Sequence, residues 1–199
     1  MNQKSKRIGI ISGSFDPVHK GHIAFALSAA EAADLDMVYF APEVHPRRKP
    51  HVSHFGHRLA MLRLAIRPYK NLDVLDLPDR YFLPKVTLPR LQNKFPESRL
   101  VLLLGSDLFE HMQLWPDVES MLPQVGLLIG ARGAYDVAQV LEHSHKLPRQ
   151  PLELQVIDSI ERQVSSSSIR ADIVAGKTSQ DIVESVASYA KKHWLYHDI

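Results

Sequence analysis

The chain has 199 residues, with 24 Lys and Arg against 22 Asp and Glu, a formal net charge of +2 and no cysteine. That charge is too small to mark a nucleic-acid binder by itself, and the lack of thiols excludes a disulfide framework, a thiolate metal centre and a cysteine nucleophile. A hydrophobic content of 45% with 23% charged residues suits one globular domain over residues 1–199. No apolar run approaches the roughly 20 residues of a membrane span, so the expectation is a cytoplasmic protein with neither membrane nor nucleic acid as partner.

Apolar, β-branched runs alternate with helical patterns along the chain. Strands are predicted at Ile8–Ile11, Met37–Ala41, Leu72–Leu75, Arg99–Leu104, Gly126–Ile129 and Leu154–Ile157. Between them a helical pattern runs over Ile23–Ala33, a second stripe is formed by Leu59, Leu62 and Ile66, and a shorter one by Val137, Val140 and Leu141. The segment from Ser166 to Leu195 reads as two helices parted by Gly176, a C-terminal stop. This order predicts an α/β fold: a Rossmann-like open parallel sheet with helices on both faces and a C-terminal helical segment. In such sheets ligands bind beyond the carboxyl ends of the strands, where the strand order reverses, so the chemistry is to be sought in the residues just after each strand.

Directly after the first strand stands Gly13-Ser14-Phe15-Asp16-Pro17-Val18-His19-Lys20-Gly21-His22. Small residues at Gly13 and Ser14 let a phosphate come close to the backbone. Gly21 and His22 fall at a helix start, where free N–H groups and the dipole favour anions. His19 and His22 lie on one face of that turn and can donate hydrogen bonds to a phosphoryl group as charge builds. At the far end, Ser165-Ser166-Ser167-Ser168-Ile169-Arg170 opens another helix. It makes a second anion cradle of hydroxyls and N–H groups, with the bidentate donor Arg170 one turn inside. After the fourth strand, Gly105-Ser106-Asp107 offers a carboxylate that either accepts from ribose hydroxyls or serves as a plain N-cap. Asp16 reads as a turn cap, or as a contact to the water shell of a metal.

His19-x-Gly21-His22 within a Gly-Ser-Phe-Asp-Pro run, paired with Ser-Ser-Ser-x-Ile-Arg, resembles the nucleotidylyltransferase superfamily, and within it bacterial nicotinate mononucleotide adenylyltransferases. The similarity spans nearly the whole chain and includes His57-Arg58-Leu59-Ala60-Met61, Gly105-Ser106-Asp107 with Trp115, and Leu195-Tyr196. The resemblance implies catalytic roles for His19 and His22. It implies ATP binding by Gly13, Ser14, Phe15, Gly21, Gly105, Asp107, Ser165, Ser166, Ser167 and Arg170, and acceptor binding by Lys49, Trp115 and Arg132. It further implies Mg²⁺ carried with ATP rather than in a protein metal site, and nicotinate mononucleotide as acceptor. Two departures fall in the acceptor half: Phe82-Leu83-Pro84 stands where the family has Ser-Tyr-Thr, and Arg47-Arg48-Lys49 where it has Pro-His-Lys. Nicotinamide mononucleotide or phosphopantetheine as acceptor, and a non-catalytic nucleotide sensor of the same fold, remain as alternatives. The assembly state is left open, a homo-oligomer included.

Overall fold

The computed structural model describes residues 5–47, 49, 51–131, 134–158, 164–177 and 179–197. Its strands are β1 (Arg7–Gly13), β2 (Met37–Pro42), β3 (Leu72–Val74), β4 (Arg99–Gly105), β5 (Gly126–Ala131) and β6 (Glu153–Asp158). They form one sheet in the order β3-β2-β1-β4-β5-β6, every neighbouring pair parallel. All six lie where the apolar runs predict them. The order reverses between β1 and β4, which opens a crevice at the carboxyl ends of those two strands.

Strand side chains alternate between faces, so β4 feeds two separate cores. Val101 and Leu103 face one layer, with α1 (Lys20–Ala32), α2 (Phe55–Ile66), α7 (Ser166–Val174) and α8 (Glu184–Lys192). Leu100, Leu102 and Leu104 face the other, with α3 (Pro84–Lys94), α4 (Ser106–Glu110), α5 (Val118–Met121) and α6 (Ala134–Ser144). A parallel strand buried on both faces must be apolar throughout, which is what Leu100–Leu104 shows.

The apolar pattern alone does not mark α3, because Pro84 and Pro89 interrupt it. Pro84 is the first residue of that helix, where a missing N–H costs nothing, and the Leu83 N–H is taken by Thr87 Oγ1 at 3.0 Å. Leu88 and Leu91 then supply the buried stripe. Gly176 does stop α7: at φ +67° its N–H reaches the Ile173 carbonyl, while Lys177 N–H reaches that of Asp172. That pair of bonds is a Schellman ending.

The loops at the carboxyl ends of β1 and β2 have little regular structure of their own. They are held by a buried cation. Arg58 on α2 is fully buried and donates to the carbonyls of Ser14 (2.8 Å), Glu43 (2.8 Å), Val44 (3.0 Å) and Ser53 (2.9 Å). Asp16, also buried, accepts from the Ser53 N–H at 3.0 Å and from the Tyr196 hydroxyl at 2.8 Å. Burial pulls the Arg58 guanidinium below its usual range, and Asp16 leads the groups that hold it charged. Arg58→Met should lower stability by about 3–5 kcal/mol, because four carbonyls lose a donor and Asp16 loses its counter-charge. Urea unfolding followed by circular dichroism checks this, and a loss under about 1 kcal/mol would contradict the clamp.

Candidate active site

β1 delivers the chain into the crevice through Gly13. A Cβ at that position would come within 3.2 Å of the Phe15 ring, so a side chain there would crowd it. Phe15 itself sits at φ +49°, a conformation costing a non-glycine residue about 1–3 kcal/mol. Burial of its ring offsets that cost: the ring is 2% exposed and packs edge-on against Phe40 and His22, with centroids 5.4 and 5.1 Å away. Its side chain is therefore a core support for His22.

His19 is the N-cap of α1 and His22 lies three residues inside it. The two rings stack with centroids 3.6 Å apart. The His19 backbone N–H donates to His22 Nδ1 at 3.2 Å, so the proton of a neutral His22 is on Nε2 and available as a donor. Burial holds His19 down at about 4. His22 is likewise held well below its usual value, first by desolvation, then by His19 and Lys49; its ring keeps some surface toward the cavity, but the walls enclose it. Both imidazoles are neutral at pH 7 in this structure. His19 Nδ1 is buried with no hydrogen-bond partner among the described residues. Such a group costs free energy unless a ligand engages it.

Two cavities open here. The larger, about 500 Å³, brings together Gly13, Ser14, His19, Gly21, His22, Lys49, Gly105, Asp107 and Ser165–Ser167. The smaller, about 250 Å³, is mainly apolar, with Phe82, Trp115, Leu102, Leu108 and Pro46 among its walls and Glu43, Arg47 and Lys49 as its charged lining. Ser12, Gly13, Ser14, Lys49, Leu104 and Leu108 line both, so the two spaces meet at the end of β1. Lys49 Nζ donates to Ser14 Oγ at 2.8 Å on that shared wall. Trp115 and Phe82 approach with ring centroids 5.9 Å apart, and the Arg47 guanidinium lies 3.8 Å over the Tyr81 ring.

The serine cradle is pre-formed. Ser165 caps α7, accepting from the Ser168 N–H at 3.1 Å, and Ser168 Oγ returns the contact to the Ser165 N–H at 3.4 Å. Ser166 Oγ donates to the Pro17 carbonyl at 2.9 Å, which ties this cradle to the β1 loop. Arg170 spans the same gap, from the Asp16 carbonyl (2.7 Å) to Ser167 Oγ (3.2 Å). Neither Arg170 nor Phe15 lines either cavity. Arg132 lies outside the described residues. Asp107 is not the cap of α4: Gly105 holds that position, and Asp107 sits exposed in the first turn with its carboxylate over the larger cavity. Asp16 caps no turn and faces no solvent, because Ser53 and Tyr196 take its oxygens.

The sequence reading passed over Arg58, Tyr196 and Glu43 as working parts. Glu43 Oε1 accepts from the Phe82 N–H at 3.2 Å and from Ser12 Oγ at 3.3 Å. A charged residue at the end of a buried strand, as Glu43 is after Phe40-Ala41-Pro42, was the available signal. Among the described residues no group of three or more His, Asp or Glu side chains converges to hold a metal ion, and no helix is long and apolar enough to cross a membrane.

A doubly wound sheet with two N–H and hydroxyl cradles facing each other across its switch point is the architecture of a nucleotidyltransferase. Residues 10–172 match the cytidylyltransferase-like family, and the chain belongs to that family. Over 197 residues, 96% of this chain and the whole of the relative, it is 30% identical to a Solibacter usitatus protein described as "Probable nicotinate-nucleotide adenylyltransferase". A Rhodopirellula baltica protein with the same description is 32% identical over 186 residues, covering 88% of this chain and 86% of the relative. In fold the chain is similar to Plasmodium falciparum nicotinic acid mononucleotide adenylyltransferase complexed with NaAD. There the TM-score is 0.79 at 20% identity, over 96% of this chain and 97% of the other.

The depressed histidines make stability pH-dependent. Between pH 6.5 and about 4 the unfolded chain takes up a proton at His19 that the folded chain refuses. Stability should therefore fall as pH drops through that window, by up to about 3 kcal/mol from His19, and level off below it. Urea midpoints of wild type and His19→Gln across pH 4–7 test this. A variant whose midpoint falls as steeply as that of wild type would remove His19 as the source.

Proposed function

We propose that one nucleotidyltransferase domain, residues 1–199, moves the adenylyl group of ATP onto the phosphate of nicotinate mononucleotide, giving deamido-NAD and pyrophosphate. The observation that carries this reading is the shared wall: a polar cavity with two anion cradles meets a mostly apolar, aromatic-lined cavity at Ser12–Ser14 and Lys49. ATP belongs in the first. There His19, Gly21 and His22 face its phosphates, Ser165–Ser167 hold the triphosphate from the other side, and Asp107 with Gly105 receives the ribose. The pyridine ring of the acceptor belongs between Phe82 and Trp115, its phosphate at Lys49.

An acceptor phosphate oxygen then attacks the α-phosphorus in line, and the bond to the bridging oxygen of pyrophosphate breaks. A phosphate monoester is mostly dianionic at neutral pH, its second pKa being about 6, so no general base is required. Positioning and charge stabilisation remain for the protein to supply. Neutral His22, with Nε2–H turned into donor service by the His19 N–H, gives a hydrogen bond that strengthens as phosphoryl charge grows. Arg170 and Ser166 act by holding the two cradles at a fixed separation. Mg²⁺ fits as a partner of the ATP phosphates and waters, since the residues facing the larger cavity are phosphate donors rather than a carboxylate cage. When bound it would neutralise phosphate charge.

His22→Ala should reduce kcat by on the order of 10²–10³, with the KM for ATP changing much less because the backbone cradle stays in place. Pyrophosphate release from ATP, assayed with nicotinate mononucleotide, nicotinamide mononucleotide and phosphopantetheine in parallel, tests reading and residue together. Mutant turnover within a few-fold of wild type would take the role from His22. Turnover with phosphopantetheine alone would move the acceptor, and tight ATP binding without turnover on any acceptor would favour the nucleotide sensor.

A further inference from the structure

The acceptor cavity is asymmetric in charge. Its inner end, shared with the ATP cavity, is cationic through Lys49, and this is where the acceptor phosphate must lie for transfer. The pyridine ring is then directed against the walls that the ATP cavity does not share, Phe82 and Trp115, with Glu43 between the shared wall at Ser12 and Phe82. Glu43 is fixed there: its Oε1 bridges the Phe82 N–H and Ser12 Oγ, which sets the carboxylate beside the aromatic wall.

Behind that wall is a second carboxylate. A small cleft of about 10 Å³ is bounded by Glu43, Asp79, Tyr81, Phe82 and Thr87, among others. The Asp79 side chain is 10% exposed and pairs with Arg90 through Oδ1, while its Oδ2 is buried with no hydrogen-bond partner among the described residues. Glu43 thus lines the acceptor cavity itself, and Asp79 adds a second carboxylate behind it without lining that cavity.

Resting on the adenylyl-transfer reading, we infer that Glu43, backed by Asp79, is a specificity-determining residue that admits a carboxamide on the pyridine ring beside the carboxylate form. An amide N–H₂ donates to such a wall, whereas a ring carboxylate meets like charge across a short, poorly solvated gap. Arg47 in the same lining offers the opposing attraction, so the acid is still used. With the amide as acceptor the reaction balances in the same way. A phosphate oxygen of nicotinamide mononucleotide bonds to the α-phosphorus of ATP, the bond to the β-side bridging oxygen breaks, and NAD and pyrophosphate leave.

The test competes nicotinate and nicotinamide mononucleotides at equal concentration with ATP and separates the two dinucleotide products. Wild type should form both, within about tenfold of each other. Glu43→Gln keeps an oxygen for Phe82 and Ser12 but removes the charge, and should raise the acid-to-amide ratio by about tenfold, the usual weight of one charged hydrogen bond, with the KM for ATP unchanged. Asp79→Asn should move the ratio the same way, and decides the matter if the Glu43 variant does not fold. An unmoved ratio in the folded variants would overturn the inference while leaving adenylyl transfer intact. Wild type that turns over neither mononucleotide would sink the adenylyl-transfer reading and this inference with it.

Discussion

The site depends on two opposite charges, Arg58 and Asp16, buried where little water can share them. Arg58 and Asp16 are both buried, and isolated charges there would cost several kcal/mol each. Here the cost is met by a complete set of partners. Arg58 is satisfied by four backbone carbonyls from three separate stretches of loop, and Asp16 by a backbone N–H and a phenol. Those carbonyls belong to the segments that form the crevice, Ser14 after β1, Glu43 and Val44 after β2, and Ser53 ahead of α2. An apolar residue of similar size could fill the space, but it could not tell one loop conformation from another. The pair thus spends stability to fix loop geometry, and a phosphate site made of backbone N–H groups has no value unless that geometry is fixed.

The C-terminal segment takes part in the same arrangement. Tyr196, at φ +72°, turns its ring into the core so that its hydroxyl meets Asp16. Burial, and then Asp16, push that phenol well above its usual range, so it stays a donor at any working pH. The Asp181 carbonyl accepts from the Lys20 N–H at the start of α1. The last turns of the chain therefore close over the first loop, and that closure accounts for the dry surroundings of the histidines. An imidazolium at either ring would have to form with little solvent, and at His22 also beside His19 and Lys49, which is why both rings stay neutral and offer N–H groups as hydrogen-bond donors rather than charges.

How much of this was legible in the sequence follows from the range of each interaction. Strands such as Leu100–Leu104 announce themselves, since burial on both faces demands an unbroken apolar run. The histidine and serine cradles were legible because a helix start is a local event, decided within four or five residues. Helix α3 was hidden by its prolines: Pro84 takes the tolerated first position, but Pro89 lies inside the helix. Phe15 keeps its place in the motif while its left-handed backbone sends the ring inward, and a one-dimensional pattern holds no record of φ. Asp16 looked like a turn cap for the same reason: its partners, Ser53 and Tyr196, are 37 and 180 residues away. Long-range satisfaction of a buried charge has no local signature.

Glu43 shows what that limit means for specificity. On the proposed reading, the ATP half of the crevice is written in short motifs because any triphosphate presents the same anions to the same backbone donors. The acceptor half is assembled from single residues on separate loops: Glu43 after β2, Phe82 before α3, Trp115 after α4, each placed by contacts distant in sequence. Substituting one of them leaves the cradles untouched, so acceptor choice can drift while transfer chemistry persists. The two cavities share Ser12–Ser14, Lys49, Leu104 and Leu108, and their other walls are separate. On the proposed reading that division confines selectivity to the acceptor cavity, where Glu43 bridges the aromatic wall at Phe82 and the shared wall at Ser12.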